Sequence, residues 1–320
     1  GLGDVYKRQP IVCLYLLQCL LVPKYASDIK EGAMIKEYYN SEKNHDVLIL
    51  GDCEVYENIS TVTMWENYGI SSYIRGSAEQ LIWQSYYLLE DTLKYEKPQV
   101  VIVNVLAMTE SDAKNEAYNR MTLDGMKLSK YKIASIKESM TEEENMASYI
   151  FPLLRYHSRW SELSSEDFRY MWKTPSVTTN GYLMQKGVRP VTTIPKAAPL
   201  ANYTFSDRNM EYLDKIYSLC KDNGINLVLM KAPSVYPHWY DEWDKQVSDY
   251  AYEHGILYLN TINEAGNIGI DYTTDTFDYG QHLNVEGAEK LSLYLGEQLV
   301  KNFRPVSYTH LRAHETRRHL

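Results

Sequence analysis

The sequence is poor in cysteine, with four in 320 residues, at positions 13, 19, 53 and 220, and no C-x-x-C pair. That excludes a disulfide framework and offers no ligand spacing for a structural zinc site. No motif asks for a metal or a cofactor. The chain is also short of positive charge: 33 Lys and Arg stand against 42 Asp and Glu, for a net charge of −9. No basic stripe interrupts this balance, which argues against a nucleic-acid partner. A third absence is a hydrophobic run of bilayer length. The apolar stretch PIVCLYLLQCLLV, residues 10–22, has 13 residues, whereas a spanning helix needs about 20.

What is present is a globular composition, 44% apolar and 23% charged, enough to bury a core. Tyrosine is abundant at 29 residues; Tyr-rich surfaces suit sugars, and Tyr equally fills half-buried core positions. Both ends look foreign. Residues 1–9 (GLGDVYKRQ) and 306–320 (VSYTHLRAHETRRHL) resemble translated sequencing-adapter read-through and are set apart from fold reasoning. Residues 10–24 then read as the outer part of a truncated single-pass membrane anchor holding an extracytoplasmic domain. A signal-peptide core and a buried helix are the alternatives. Residues 25–45 are polar and read as a stalk or short helix.

From residue 46 the pattern alternates. Short apolar runs at 46–50, 70–74, 99–105, 225–230 and 256–259 read as strands. Helical periodicity appears at 60–68, 78–96, 207–223, 241–254 and 285–300, with Gly224 and Gly255 placed as helix stops. The expected fold is α/β: a flavodoxin-like three-layer αβα domain over 46–305, with a parallel sheet of about five strands. A mostly helical insertion at 107–206 breaks the rhythm, with helices expected at 112–126, 130–140, 142–155 and 165–172.

In such a sheet the residues just after each strand gather on one rim. Cys53 follows the first strand through Gly51-Asp52, Gly76 follows the second, Asn104 ends the third, and Lys231 and Ser234 follow the fourth. Asp275, Asp278 and His282 precede the last helix. A thiol at a helix start is expected to be stabilised as thiolate; the plainer reading is a small buried Cys under a turn. A nucleophile, a His with nearby carboxylates, a backbone N–H and an amide are the parts of acyl transfer. Tyr236, Trp239, Tyr240 and Trp243 either stack sugar rings or pack the following helix.

GDCEV at 51–55, Gly76 in IRGSAEQ, Asn104 in VIVNV and DYGQHLNVEGAEKLSLYL at 278–295 resemble the blocks of the SGNH/GDSL hydrolase superfamily. More narrowly, residues 46–303, including FPLLRYHSRW at 151–160, are similar to membrane-anchored DltD-like proteins of Gram-positive, clostridial bacteria. The resemblance implies the SGNH hydrolase fold, with Cys53 where the family has its nucleophile serine and His282 as base. It implies Gly76 N–H and Asn104 as oxyanion donors, the latter by position only because G-x-N-D is absent. The family's acid stands three residues before the His, where this chain has Tyr279; Asp278, Asp275 or neither fills that role. His157, Arg159, Lys231 and Glu54 are candidates for substrate contact; the alternatives are a helix-face histidine satisfied by a neighbour for His157 and a solvated charge at a helix start for Glu54. The implied activity is acyl transfer or ester hydrolysis on a cell-surface glycan or teichoic-acid-like polymer, beside a membrane-bound O-acyltransferase partner. The alternatives are an inactive SGNH-fold glycan-binding or scaffold protein at the membrane surface, and a soluble esterase.

Overall fold

The computed structural model describes residues 2–26, 30–194 and 196–303; the adapter-like tail from 306 lies outside them. Five strands form one parallel sheet: β1 (Val47–Gly51), β2 (Ser72–Gly76), β3 (Val100–Asn104), β4 (Asn226–Lys231) and β5 (Leu257–Asn260). Their order is β2-β1-β3-β4-β5, the flavodoxin-like winding with its switch point between β1 and β3.

The strands read as unbroken apolar runs because both faces are buried. Side chains alternate between two cores. Leu48, Leu50, Val101, Val103, Leu227 and Leu229 enter one, while Val47, Ile49, Val100, Ile102, Val228 and Met230 enter the other. The main helices, in chain order, are α1 (Leu2–Leu21), α2 (Cys53–Asn58), α3 (Thr61–Tyr68), α4 (Ile82–Thr92), α5 (Asp207–Asp222), α6 (Asp241–His254) and α7 (Val285–Phe303). α4, α5 and α6 cover the first core; α2, α3 and α7 cover the second. Ser60 and Ser206 cap α3 and α5 through the N–H groups of Thr63 and Asn209, and Gly255 ends α6 at φ 65°, as a left-handed helix stop requires.

Two glycines set the position of α2. Gly51 and Gly76 lie side by side in the β1–β2 register. A Cβ on Gly51 would stand 2.7 Å from Asn104 Cβ, and one on Gly76 2.9 Å from Val55 Cγ2. Only bare backbone lets Val55 pack this close, so α2 starts directly on the strand ends.

The insertion contains helices Glu116–Leu123, Lys130–Ser139, Met146–Ile150, Leu153–Tyr156 and Ser165–Arg169, and its described residues from there to Ser206 form no helix. The single helix expected over 142–155 is broken at Phe151-Pro152, because proline disfavours the helical conformation of the residue before it. Of the stretch read as a stalk or short helix, Ala33–Glu37 is a short helix, and it and the residues after it pack on the domain: Ile35 and Tyr38 are fully buried, and Tyr38 OH donates to Glu96 Oε1 at 2.7 Å. No helix among the described residues is long and apolar enough to cross a membrane. α1 exposes Ile11, Val12, Leu14 and Leu17, while its C-terminal carbonyl at Leu21 accepts from Arg159 Nη1 at 2.8 Å.

Candidate active site

The strand C-termini meet a cavity of about 900 Å³ lined by both Cys53 and His282. Cys53 reaches it as the first residue of α2. Asp52, the residue before, caps that helix by accepting from Glu54 N–H at 3.0 Å. His282 reaches it from the loop that leads into α7.

That loop is folded on itself. Asp278 accepts from His282 twice, through Oδ1 from the backbone N–H at 2.8 Å and through Oδ2 from ring Nδ1 at 2.6 Å. Tyr279 takes φ 66° and Gly280 φ 89°, a left-handed turn that brings an acid four residues upstream back onto the imidazole. Thr276 Oγ1 accepts from Gly280 N–H and donates to the His282 carbonyl, each at 2.8 Å. Asp275, the other carboxylate considered, is buried and committed elsewhere, to Lys290 Nζ at 2.6 Å and Asp271 N–H at 2.8 Å. A second carboxylate does reach the ring: Glu57 Oε2 lies 3.2 Å from Nδ1, held by a bond from Gln185 Nε2 to its Oε1 at 2.9 Å. With Nδ1 occupied, Nε2 is the nitrogen left for chemistry. Burial by itself would lower the His282 pKa; the bond to Asp278 and the charges of Glu57, Asp278 and Glu54 outweigh it and hold the pKa above its usual value.

Behind Cys53 lies a buried polar cluster. Lys231 Nζ meets Glu54 at 2.6 and 2.9 Å, donates to the Ala232 carbonyl at 2.8 Å, and contacts Ser234 Oγ at 3.1 Å. Asn104 Nδ2 donates to Asp52 Oδ1 and Glu54 Oε2, both at 3.0 Å. Glu54, Asn104 and Lys231 are almost wholly out of solvent. These placements differ from the sequence expectations. Lys231 and Glu54 neutralise one another rather than facing substrate, because the β4 alternation that sends Leu227 and Leu229 into the first core also turns Lys231 inward. Asn104 has both amide hydrogens on carboxylates, so neither is aimed at an oxyanion.

The same cluster works against a thiolate. Burial first, then the charges of Asp52, Glu54, Glu57 and Glu79, push the Cys53 thiol well above its usual pKa. This runs against the stabilised thiolate expected at a helix start: burial first, and then the four carboxylates, disfavour the charged sulfur. Asp52 is itself pushed up to about 7, by burial and then by Glu54.

Gly76 is buried as the last residue of β2, and the close approach of Val55 accounts for its lack of a side chain. His157 and Arg159 stand apart from the cavity. His157 is exposed with Nδ1 on the Leu154 carbonyl at 3.1 Å, and Arg159 is paired with Asp167 at 2.8 Å beside the end of α1. Of the aromatic cluster, Trp239 is core, whereas Tyr236 and Trp243 line the cavity with Phe205. Sequence reasoning passed over Glu57, although it sits four residues after Cys53 and so one helical turn along the same face. It also passed over the rim pair of Lys114 with Glu79 at 2.7 Å, which joins segments too distant in sequence to leave a signal.

Neither a protein-family model nor a curated protein matches the chain. Among solved structures it is similar to a candidate acylhydrolase from Bacteroides fragilis NCTC 9343, at 12% identity and TM-score 0.40, covering 90% of this chain and 95% of that one. A GDSL-like lipase from Bacteroides thetaiotaomicron VPI-5482 aligns at 11% identity and TM-score 0.41, covering 85% and 99%. A candidate lipolytic protein of the G-D-S-L family from Desulfitobacterium hafniense DCB-2 aligns at 13% identity and TM-score 0.39, covering 79% and 99%. Likeness at this level assigns no residue and no reaction.

Proposed function

We propose that this chain is an SGNH-type acyl-transfer or ester-hydrolysing enzyme that works through Cys53 and His282. The observation that carries the reading is the oriented imidazole: Asp278 holds Nδ1 at 2.6 Å, and the remaining nitrogen belongs to a ring that shares a cavity with the thiol at the head of α2. Because its surroundings disfavour a thiolate, Cys53 starts as a thiol. Sγ attacks the acyl carbon while His282 Nε2 takes the S–H proton, and the carbonyl π electrons move to oxygen. Collapse of that adduct breaks the ester C–O bond, and the leaving alkoxide receives the proton back from His282. Water, or the hydroxyl of an acceptor, then attacks the thioester by the same route and releases Cys53.

The substrate class follows from the walls. Asp52, Glu54, Glu79, Glu110 and Asp207 line the cavity, and Lys114 and His282 are the basic groups among its described lining residues; Glu54 is paired with buried Lys231, and Lys114 is held by Glu79 at 2.7 Å and Glu110 at 3.3 Å. Such a field repels phosphate-rich polymers of the teichoic-acid type. Tyr236 and Trp243 line the cavity as candidate stacking faces, which favours a neutral acylated glycan. Exposed apolar residues on α1 fit a place at the cell membrane with the domain on the outer side, where a membrane-bound O-acyltransferase would supply or accept the acyl group.

A second reading, an inactive glycan-binding protein of the same fold, draws support from the acidic surroundings of Cys53 and from the committed Asn104 amide. Turnover of a neutral chromogenic acyl ester separates the two. The enzyme reading expects hydrolysis that falls by about 10²- to 10⁴-fold in His282→Ala. Absence of turnover in folded protein, with retained glycan binding, supports the binder.

A further inference from the structure

The imidazole of His282 faces two carboxylates, one from its own loop and one from the helix that Cys53 begins. Asp278 Oδ2 lies 2.6 Å from Nδ1 and Glu57 Oε2 3.2 Å from the same atom. A neutral imidazole carries one N–H at that position, which a single acceptor satisfies. A second buried acid at the same nitrogen costs desolvation unless it does something, and burial is the leading reason that Glu57 is held above the usual carboxylate range. Glu57 is nonetheless fixed in place, with its other oxygen on Gln185 Nε2 at 2.9 Å. Gln185 comes from the insertion, and its backbone carbonyl accepts from Val285 N–H at 2.8 Å at the start of α7. Leu283 N–H, next to His282, donates to the Asn58 side chain at 2.8 Å, so the end of α2 grips the histidine loop at two adjacent points.

We propose that Glu57 is a second positioning carboxylate for His282, a charge placed beside the Asp278 hydrogen bond that ties the base to the helix that presents Cys53. This rests on the reading of His282 as the base. The consequence is geometric and electrostatic. Nucleophile and base ride on one rigid unit, since Cys53 and Glu57 are one turn apart on α2. Asp278 orients the ring, and Glu57 prevents it from swinging about the Asp278 contact. The groups facing the imidazole are Asp278 and Phe277 from its own loop, the latter stacked at 6.1 Å, and Glu57 and Glu54 from α2. Removing the Glu57 charge leaves the other three in place, so its effect on the ring can be read separately.

The test uses the full chain with Glu57→Gln, which keeps the side-chain shape, and Asp278→Asn alongside it. The His282 ring is titrated by NMR, and kcat/KM for a neutral ester is followed against pH. An opposite charge a few ångströms away raises a pKa, so Glu57→Gln is expected to lower that of His282 by about half a unit to one unit, and to move the acidic limb of kcat/KM down by the same amount. The two single variants should keep an oriented ring, and the double variant should lose it, seen as mixed tautomers. A His282 titration unchanged in Glu57→Gln overturns the proposal, as does a double variant no worse than Asp278→Asn. If the NMR shift appears but His282→Ala leaves turnover intact, the catalytic reading fails while the Glu57 contact stands, so the two failures are told apart.

Discussion

Cys53 is the residue on which sequence and structure part company most usefully. Its place after β1 and at the head of α2 was legible from G-D-C after a short apolar run, and it lines the same cavity as His282. Its chemistry was not legible. Asp52, Glu54 and Glu57 are neighbours in the chain, but whether a neighbouring acid is solvated or buried against the sulfur is decided by tertiary packing, and Glu79 arrives from the turn after β2. A thiol whose pKa is raised carries tenfold less thiolate for each unit, and the Cys53 thiol is raised by burial and these acids. Alkylation of Cys53 by iodoacetamide at pH 8 should therefore run at least about tenfold slower than that of free cysteine, measured by mass spectrometry of the peptide containing it. A rate equal to or above free cysteine would mean that the acids do not act on the sulfur as described.

At the scale of elements, the join between α2 and the end of β4 is the Lys231–Glu54 pair, both partners buried. Breaking such a pair strands a charge and typically costs about 3–5 kcal/mol, while replacing both partners costs much less. Lys231→Met should lower stability by that order in urea unfolding, and Lys231→Met with Glu54→Gln should recover most of the loss; equal losses would show that the pair is not coupled. Strand positions were legible because buried parallel strands read as continuous apolar runs, whereas Lys231 was misplaced on the rim because such a run hides which face its last residue takes. The Asp52 cap adds a pH dependence. Its folded pKa is about 7 against a usual 3.8, so between those values the folded state keeps a proton that the unfolded state releases, and stability falls as pH rises. Wild type should therefore lose more stability from pH 5 to pH 8 than Asp52→Asn, and identical slopes would remove Asp52 from this role.

The whole molecule is a parallel αβα domain with a mostly helical insertion at 107–206, and the sheet order was legible only as a class. The break at Phe151-Pro152 is a local proline signal, whereas the packing of residues 33–45 on the domain depends on contacts no local pattern encodes. The cavity's charge likewise emerges only on assembly, from Glu79, Glu110 and Asp207 on segments far apart in sequence. Esters with a carboxylate on the acyl group should consequently show kcat/KM about tenfold or more below neutral esters of equal size, with the gap narrowing as salt screens the field; preference for the anionic ester would contradict the acidic lining. The most direct test of the central claim is to mix the folded protein with an activated neutral acyl ester, quench in acid, and weigh the peptide that spans residue 53. An acyl increment on Cys53 that disappears in His282→Ala is the predicted result, and turnover with no acyl group ever found on Cys53 would contradict it.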